Sequence, residues 1–177
     1  MDLFQDIASG AAAESPLWAS AVRATDDRET VLVFSRLVPD SRFALGVETI
    51  YEGYLLHYGR SRLFAPPDDD VGLLLGDALL AHGLVRIADT GSVAAVADLA
   101  ALLSLCAQAQ ADARDGDGAA WAATSALLGR GGLDDARAGL RDGADPAPLE
   151  RLARATVGDE AVDAALAAHA ARLRAIV

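Results

Sequence analysis

Two long apolar segments joined by a tight turn most constrain the fold of this chain. Residues 69–88 read DDVGLLLGDALLAHGLVRIA, and residues 93–113 read VAAVADLAALLSLCAQAQADA. Thr90-Gly91 between them is typical of a turn, and Ser92 is a favourable N-cap for the second segment. Leucine and alanine favour helix strongly, so the pattern predicts an antiparallel helical hairpin with arms about 30 Å long.

Asp77 is an acid in the middle of the first apolar segment. With about 100° between successive residues, Leu73, Leu80 and Leu84 fall within about 60° of Asp77 on a helical wheel. The wheel therefore predicts that Asp77 lies in the packing face and is buried. An unpaired buried carboxylate is very costly, so we expect a structural acid that caps a neighbouring helix or pairs with an arginine. A catalytic or metal-binding Asp77 is the alternative.

The composition predicts an all-α fold. The chain has 177 residues, of which 53% are hydrophobic and only 5% aromatic, so alanine and leucine supply most of the core. The alternating β-branched runs that are typical of strands are almost absent. At this length we expect a single domain over residues 1–177, an irregular helical bundle with the long hairpin at its centre.

Shorter helices are predicted on both sides of the hairpin. Before it, capping residues and prolines predict helices over residues 16–24, 26–37 and 41–58. After Arg114, glycine-rich breaks predict short helices over residues 119–128, 133–141, 146–155 and 159–175. Residues 114–177 are therefore expected to form either a subdomain or a looser C-terminal half of the same domain.

An aromatic stripe follows the predicted helix over residues 41–58. Tyr51 and Tyr54 recur at helical spacing, and Arg60 and Arg62 follow in the connector. One interpretation places the tyrosines in the core. The other makes them one wall of a tunnel for an apolar, isoprenoid-like ligand, with the two arginines at its mouth to bind an anionic head group.

Charge and missing motifs exclude several classes of function. The net charge of −11 argues against nucleic acid and anionic membrane surfaces as partners. All 15 basic residues are arginine, which excludes lysine chemistry. Cys106 is the only cysteine, so no intrachain disulfide can form. No nucleotide-binding, zinc or nucleophile-elbow motif occurs, and we predict no catalytic residue, metal site or cofactor.

Polar side chains interrupt each long apolar run. Asp77 and His82 interrupt the first run and Asp98 the second, so no transmembrane segment is predicted. The N-terminal segment MDLFQDIASG is acidic and lacks the basic flank of a signal peptide. We therefore expect a cytoplasmic protein.

Residues 72–81, which read GLLLGDALLA, resemble the LAGD-x-LLA helix of trans-polyprenyl diphosphate synthases. In that all-α family this helix lies in the bundle core near the subunit interface. The run from Leu84 to Ile87 followed by Asp89-Thr90-Gly91 resembles the family's passage into its next helix. The similarity is concentrated in residues 69–109.

The acid pairs of this chain depart from the family's catalytic motifs. Catalytic members bind magnesium through two DDxxD motifs, whereas Asp68-Asp69-Asp70 continues into Val71-Gly72 and Asp134-Asp135 continues into Ala136-Arg137. The chain also has no lysine for the family's substrate motif. The resemblance therefore points to the small, non-catalytic subunit of heterodimeric enzymes, such as the heptaprenyl synthase that supplies menaquinone side chains.

The resemblance implies an accessory subunit that packs on a catalytic partner through residues 69–113 and influences isoprenoid chain length. The implied interface contains Leu73, Leu80, Leu84, Leu102 and Leu105. A homodimer through the same helices and an isoprenoid ligand are the other partners that we predict. The alternative function is a stand-alone helical module that binds a protein or an apolar ligand.

Overall fold

The computed structural model describes residues 2–173, and this part of the chain is all-α, as predicted. It contains nine α-helices and several short 3₁₀ turns, and the described residues form no strand. The helices are α1 (Leu3–Glu14), α2 (Pro16–Ala21), α3 (Ala44–Tyr58), α4 (Asp69–Ala88), α5 (Val93–Ala111), α6 (Asp117–Ala126), α7 (Asp134–Gly143), α8 (Ala147–Val157) and α9 (Asp159–Ala170).

Local capping sets the ends of the two long helices. Asp68 accepts a hydrogen bond from the backbone N–H of Val71 at the start of α4, and Ser92 accepts one from Ala95 at the start of α5. These side chains satisfy N–H groups that have no partner within the helix. Gly91, with a φ of 82°, makes the turn between the helices.

The central helix of the fold is α3. Every residue from Gly46 to Leu56 is buried, including two glutamates. The neighbouring helix α4 packs along α3 in the most extensive helix pair of the structure, while α4 and α5 contact each other much less. The predicted placement of the α4–α5 hairpin at the centre is therefore not confirmed.

Glycines bring the backbones of α3 and α4 into direct contact. Gly46 of α3 faces Gly83 of α4, and Gly53 faces Gly76, so the two helices run antiparallel. A Cβ atom added at Gly46 would lie 3.1 Å from the carbonyl oxygen of Gly83. Any larger residue at these positions would push the helices apart, because only glycine has no side chain.

This contact sets the rotation of α4 and shows that the predicted position of Asp77 is wrong. The side chain of Asp77 is 72% exposed, and its Oδ1 lies 3.1 Å from His57 Nε2. The buried residues of α4 are centred about 130° from Asp77 on a helical wheel; they are Gly72, Leu75, Gly76, Leu79, Gly83 and Ile87. The helical wheel indicated the wrong buried face because it was oriented by the large apolar side chains, whereas glycines make the actual contact with α3.

The two halves of the chain share one apolar core. The short helix α6 is buried along its whole length and packs on α5, α8 and α9. The shared cluster contains Val33, Tyr51, Trp121 and Val162. The helix predicted over residues 159–175 ends at Ala170, and residues 174–175 of that prediction lie outside the described residues.

The prediction of a helix over residues 26–37 is wrong. The structure has 3₁₀ turns at Thr25–Asp27 and Ser35–Leu37, with irregular chain between them. The backbone N–H of Val33 donates to the side chain of Glu48, on α3, instead of to a carbonyl of its own segment. The first helix, α1, is an element that the sequence analysis does not predict.

Candidate functional site

Tyr51 and Tyr54, the predicted tunnel residues, belong to the packed core. Both side chains are buried and make edge contacts with Trp121, at ring-centre distances of 5.2 and 5.5 Å. Each is enclosed by other side chains, and neither lines the large cleft described below. The core interpretation of the aromatic stripe therefore holds, and the placement of these two tyrosines in a ligand tunnel is wrong.

Arg62 is buried between two glutamates of α3. Its Nη1 lies 2.7 Å from Glu48 Oε2, and its Nε lies 2.9 Å from Glu52 Oε2. The guanidinium is also 5.0 Å from the ring centres of Phe4 and Tyr51. Burial alone would lower the pKa of Arg62, but the two carboxylates outweigh burial and raise it. The prediction that Arg62 lies at the mouth of a ligand site is therefore wrong.

The two glutamates hold irregular segments of the chain against α3. Glu52 Oε1 accepts hydrogen bonds from the backbone N–H groups of Arg62 and Leu63, at 2.8 and 2.9 Å. Glu48 Oε1 accepts one from Val33 at 3.3 Å. Buried N–H groups need acceptors, and these carboxylates supply them where no helix does. Two acids four residues apart in an apolar helix were a signal of burial that the sequence analysis missed.

A second buried network links α3, α6 and α9. His169 Nε2 lies 3.2 Å from Asp117 Oδ2, and His169 Nδ1 lies 3.0 Å from the Tyr51 hydroxyl. The Tyr54 hydroxyl also donates to Asp117. Burial alone would raise the pKa of Asp117, but the hydrogen bonds and charge of His169, with the Tyr54 hydrogen bond, outweigh burial and lower it. Burial raises the pKa of Tyr54, which therefore stays protonated.

The acid, histidine and tyrosine of this network have the composition of a catalytic relay. Asp117 and His169, however, are only 6% and 2% exposed. None of the network side chains lines the cleft described below. The network therefore has a structural role, which is to link α9 to the central helix α3.

The predicted interface leucines divide into three groups. Leu102 and Leu105 of α5 are buried within the fold, so their predicted interface role is wrong. Leu80 and Leu84 are half-buried against the core. Leu73 is 47% exposed, more than any of the other four, and so is accessible to a partner.

Each of the two long helices keeps one exposed, mainly apolar stripe. On α4, Leu74 and Val85 are 59% and 58% exposed, which is high for large aliphatic side chains. We define the α4–α5 surface as the exposed residues Leu73, Leu74, Asp77, Ala81, Val85 and Ala88 of α4 with Val93, Ala97, Ala100, Ser104, Ala107 and Ala111 of α5. Asp77 is the one charged residue in this set, and the exposed Asp69 and Asp70 adjoin the set in the first turn of α4.

Both helices are long and apolar enough to cross a membrane by length and composition. Their most apolar windows have mean hydropathies of 1.6 and 1.5, and 33% and 39% of the residues in these windows are buried. Asp98 of α5 is buried inside the fold, where it pairs with Arg137 at 3.1 Å and accepts from the Gly129 N–H at 2.9 Å. The absence of a membrane-spanning segment and the cytoplasmic location stay predictions.

A half-open cleft of about 830 Å³ lies at the C-terminal end of α3. Its other walls are formed by residues 59–61 and 64–67, the first turns of α4 and residues 171–173. Arg23, Arg60 and Arg172 line it, together with the apolar side chains of Leu56, Phe64, Pro66 and Leu73. Arg60, which the sequence analysis places at the mouth of a ligand site, is thus at a cleft, but a different one from the predicted tunnel.

Comparison of the chain with protein-family models, with curated proteins and with solved structures finds no match. Within residues 2–173, no group of three histidine, cysteine, aspartate or glutamate side chains is placed to hold a metal ion.

Proposed function

We propose that this protein is an accessory subunit that packs on a catalytic polyprenyl diphosphate synthase and influences isoprenoid chain length, as in menaquinone side-chain synthesis. The exposure of the α4–α5 surface is the observation that supports this proposal most. A helix that is apolar nearly all round is normally covered on all sides. Large exposed apolar patches are rare on monomers and are typical of interaction sites.

The size and composition of the α4–α5 surface suit a stable contact. Each stripe is about 30 Å long, and a partner that covers both would bury an area on the order of the ~800 Å² that each partner buries in a standard interface. Apart from Val93, the α5 residues of this surface are small, so a partner helix can approach closely. Asp77 Oδ1 lies 3.1 Å from His57 Nε2, and the two form an ion pair only when the histidine is protonated.

The resemblance supports the choice of partner. Residues 72–81, which resemble a helix near the subunit interface of polyprenyl synthases, belong to α4, and α4 has the exposed apolar stripe. The chain has no DDxxD motif and no lysine, so the catalytic groups of such a complex would come from the partner.

Co-expression with a DDxxD-containing polyprenyl diphosphate synthase of the same organism tests the proposal. We expect a complex in size-exclusion chromatography and a change in the chain length of the products. The double variant Leu74→Asp/Val85→Asp should abolish both effects. Leu17→Asp is the matched control, because Leu17 is an exposed leucine outside the α4–α5 surface. A complex that tolerates the double variant, or the absence of a complex, would contradict the proposal.

Measurements on the purified chain distinguish a synthase from the two other molecules that could cover this surface, a second copy of the chain and lipid. If the purified protein is a dimer that the double variant dissociates, and no synthase binds, a second copy covers the surface and the accessory role is wrong. If the chain instead sediments with membranes and the double variant releases it, the surface contacts lipid. A stable, monodisperse monomer that binds no synthase also rejects the proposal.

A further inference from the structure

We infer that the cleft at the C-terminal end of α3 binds a small anionic amphiphile, a molecule with one compact carboxylate or phosphate head and an apolar body. The inference goes beyond the proposed accessory function and does not depend on it. A cavity of about 830 Å³ lies within the range of small-molecule sites, which are mostly apolar with a few placed polar groups.

Two of the basic side chains of the cleft have unused hydrogen-bonding capacity. The Arg23 guanidinium makes no hydrogen bond or ion pair within residues 2–173. Arg60 is 63% exposed and only loosely paired, with its Nη2 3.6 Å from Glu29 Oε1. Arg172 contributes positive charge only, because its guanidinium is already bound to Glu29 and to the Ala168 carbonyl and its unpaired Nε is buried. Guanidinium groups bind carboxylate and phosphate oxygens in pairs, so an anion would satisfy donors that the chain leaves open.

The apolar walls indicate that the ligand is more than a free anion. Pro66, Pro67 and Leu73 present accessible apolar surface to the cleft, whereas Leu56 and Phe64 behind them are already buried. Removing such surface from water favours binding of an apolar body in proportion to its area. An inorganic anion would leave these walls uncovered.

The acidic residues at the cleft limit the charge of the head group. Asp68 and Asp69 also line the cleft, and Glu29 Oε2 already pairs with Arg172 at 2.7 Å. A polyanion would meet these carboxylates, whereas one compact head can sit beside Arg23 and Arg60. The net charge of −11 likewise disfavours a polyanionic ligand.

Isothermal titration of the full chain with decyl phosphate, below its micelle concentration, tests the inference. Decanoate distinguishes a carboxylate from a phosphate head, inorganic phosphate supplies the head alone, and decyl maltoside supplies the apolar body alone. We expect saturable one-to-one binding of decyl phosphate or decanoate. Arg23→Gln and Arg60→Gln should each weaken that binding about tenfold or more, the loss expected for one charge-assisted hydrogen bond.

Arg130→Gln is the matched control, because Arg130 is exposed and does not line the cleft. Thermal unfolding of each variant checks that it is folded. No saturable binding, equal binding of decyl maltoside or inorganic phosphate, or equal weakening by Arg130→Gln would overturn the inference. The Leu74→Asp/Val85→Asp variant should bind the amphiphile normally, so failure of this inference and failure of the accessory role are separate results.

Discussion

Gly53 of α3 and Gly76 of α4 are in direct contact, because a Cβ atom on Gly53 would lie 2.8 Å from the carbonyl oxygen of Gly76. The contact between Gly46 and Gly83 repeats this arrangement further along the two helices. Together the four glycines determine the register of α3 against α4. They also turn the face of α4 that contains Asp77 toward solvent, where it forms part of the α4–α5 surface.

Gly83→Ala should lower the free energy of unfolding by about 1–3 kcal/mol, the usual cost of overpacking. The new Cβ would collide with the Ile50 side chain and lie 2.9 Å from the carbonyl oxygen of Gly46. Urea unfolding followed by circular dichroism measures the change. Gly139→Ala is the control, since its nearest neighbour would be 3.7 Å away; it should be neutral or stabilising by up to about 1 kcal/mol. Equal effects of the two variants would contradict the glycine contact.

Arg62→Leu should cost about 3–5 kcal/mol of folding stability, because Glu48 and Glu52 would keep their buried charges without a cation. Adding Glu48→Gln and Glu52→Gln to this variant should restore part of the loss, since glutamine still accepts backbone hydrogen bonds. Chemical denaturation of the single and triple variants measures both effects. Arg42→Leu, which breaks an exposed pair with Asp40, should change little. A triple variant less stable than Arg62→Leu would argue against this account.

Asp117→Asn should destabilise the protein by about 1–3 kcal/mol at pH 7, and the difference from wild type should shrink as the pH falls below about 4. The pKa of Asp117 is lowered in the folded state, so the unfolded chain binds this proton more readily. Its contribution to stability is therefore present above the unfolded pKa and is lost as the pH falls through the folded pKa. Urea unfolding between pH 3 and 7 measures the difference in free energy of unfolding between the two proteins. A difference that stays constant over this range would show that folding does not lower the pKa of Asp117.

Cys106 should not react with a thiol reagent in the folded protein. Burial raises the pKa of its thiol well above the ordinary value, and the side chain is enclosed in the core. Ellman's reagent should therefore react slowly under native conditions and rapidly in urea. Ala107→Cys adds an exposed thiol one residue away and should give a fast phase before the slow one. A fast reaction of the native thiol would mean that α5 opens readily.

Local patterning was sufficient to predict the long helices. The predicted start and end of α4 agree with the structure. Asp68 caps the start of the helix, and Gly91 makes the turn that follows its end. The helix predicted over residues 26–37 failed for the opposite reason. The backbone N–H groups of Val33 and Ser35 donate to Glu48, a residue of another segment, and no pattern within residues 26–37 contains that information.

The amino-acid sequence by itself determined the all-α class, the net negative charge and the positions of the two long helices, since propensity and capping act over a few neighbouring residues. Only the tertiary structure decided which faces are covered: Asp77 lies outside, whereas Arg62 lies inside with Glu48 and Glu52. Those outcomes depend on backbone contacts and ion pairs between residues far apart in the chain. A helical wheel, which treats each helix alone, cannot contain them.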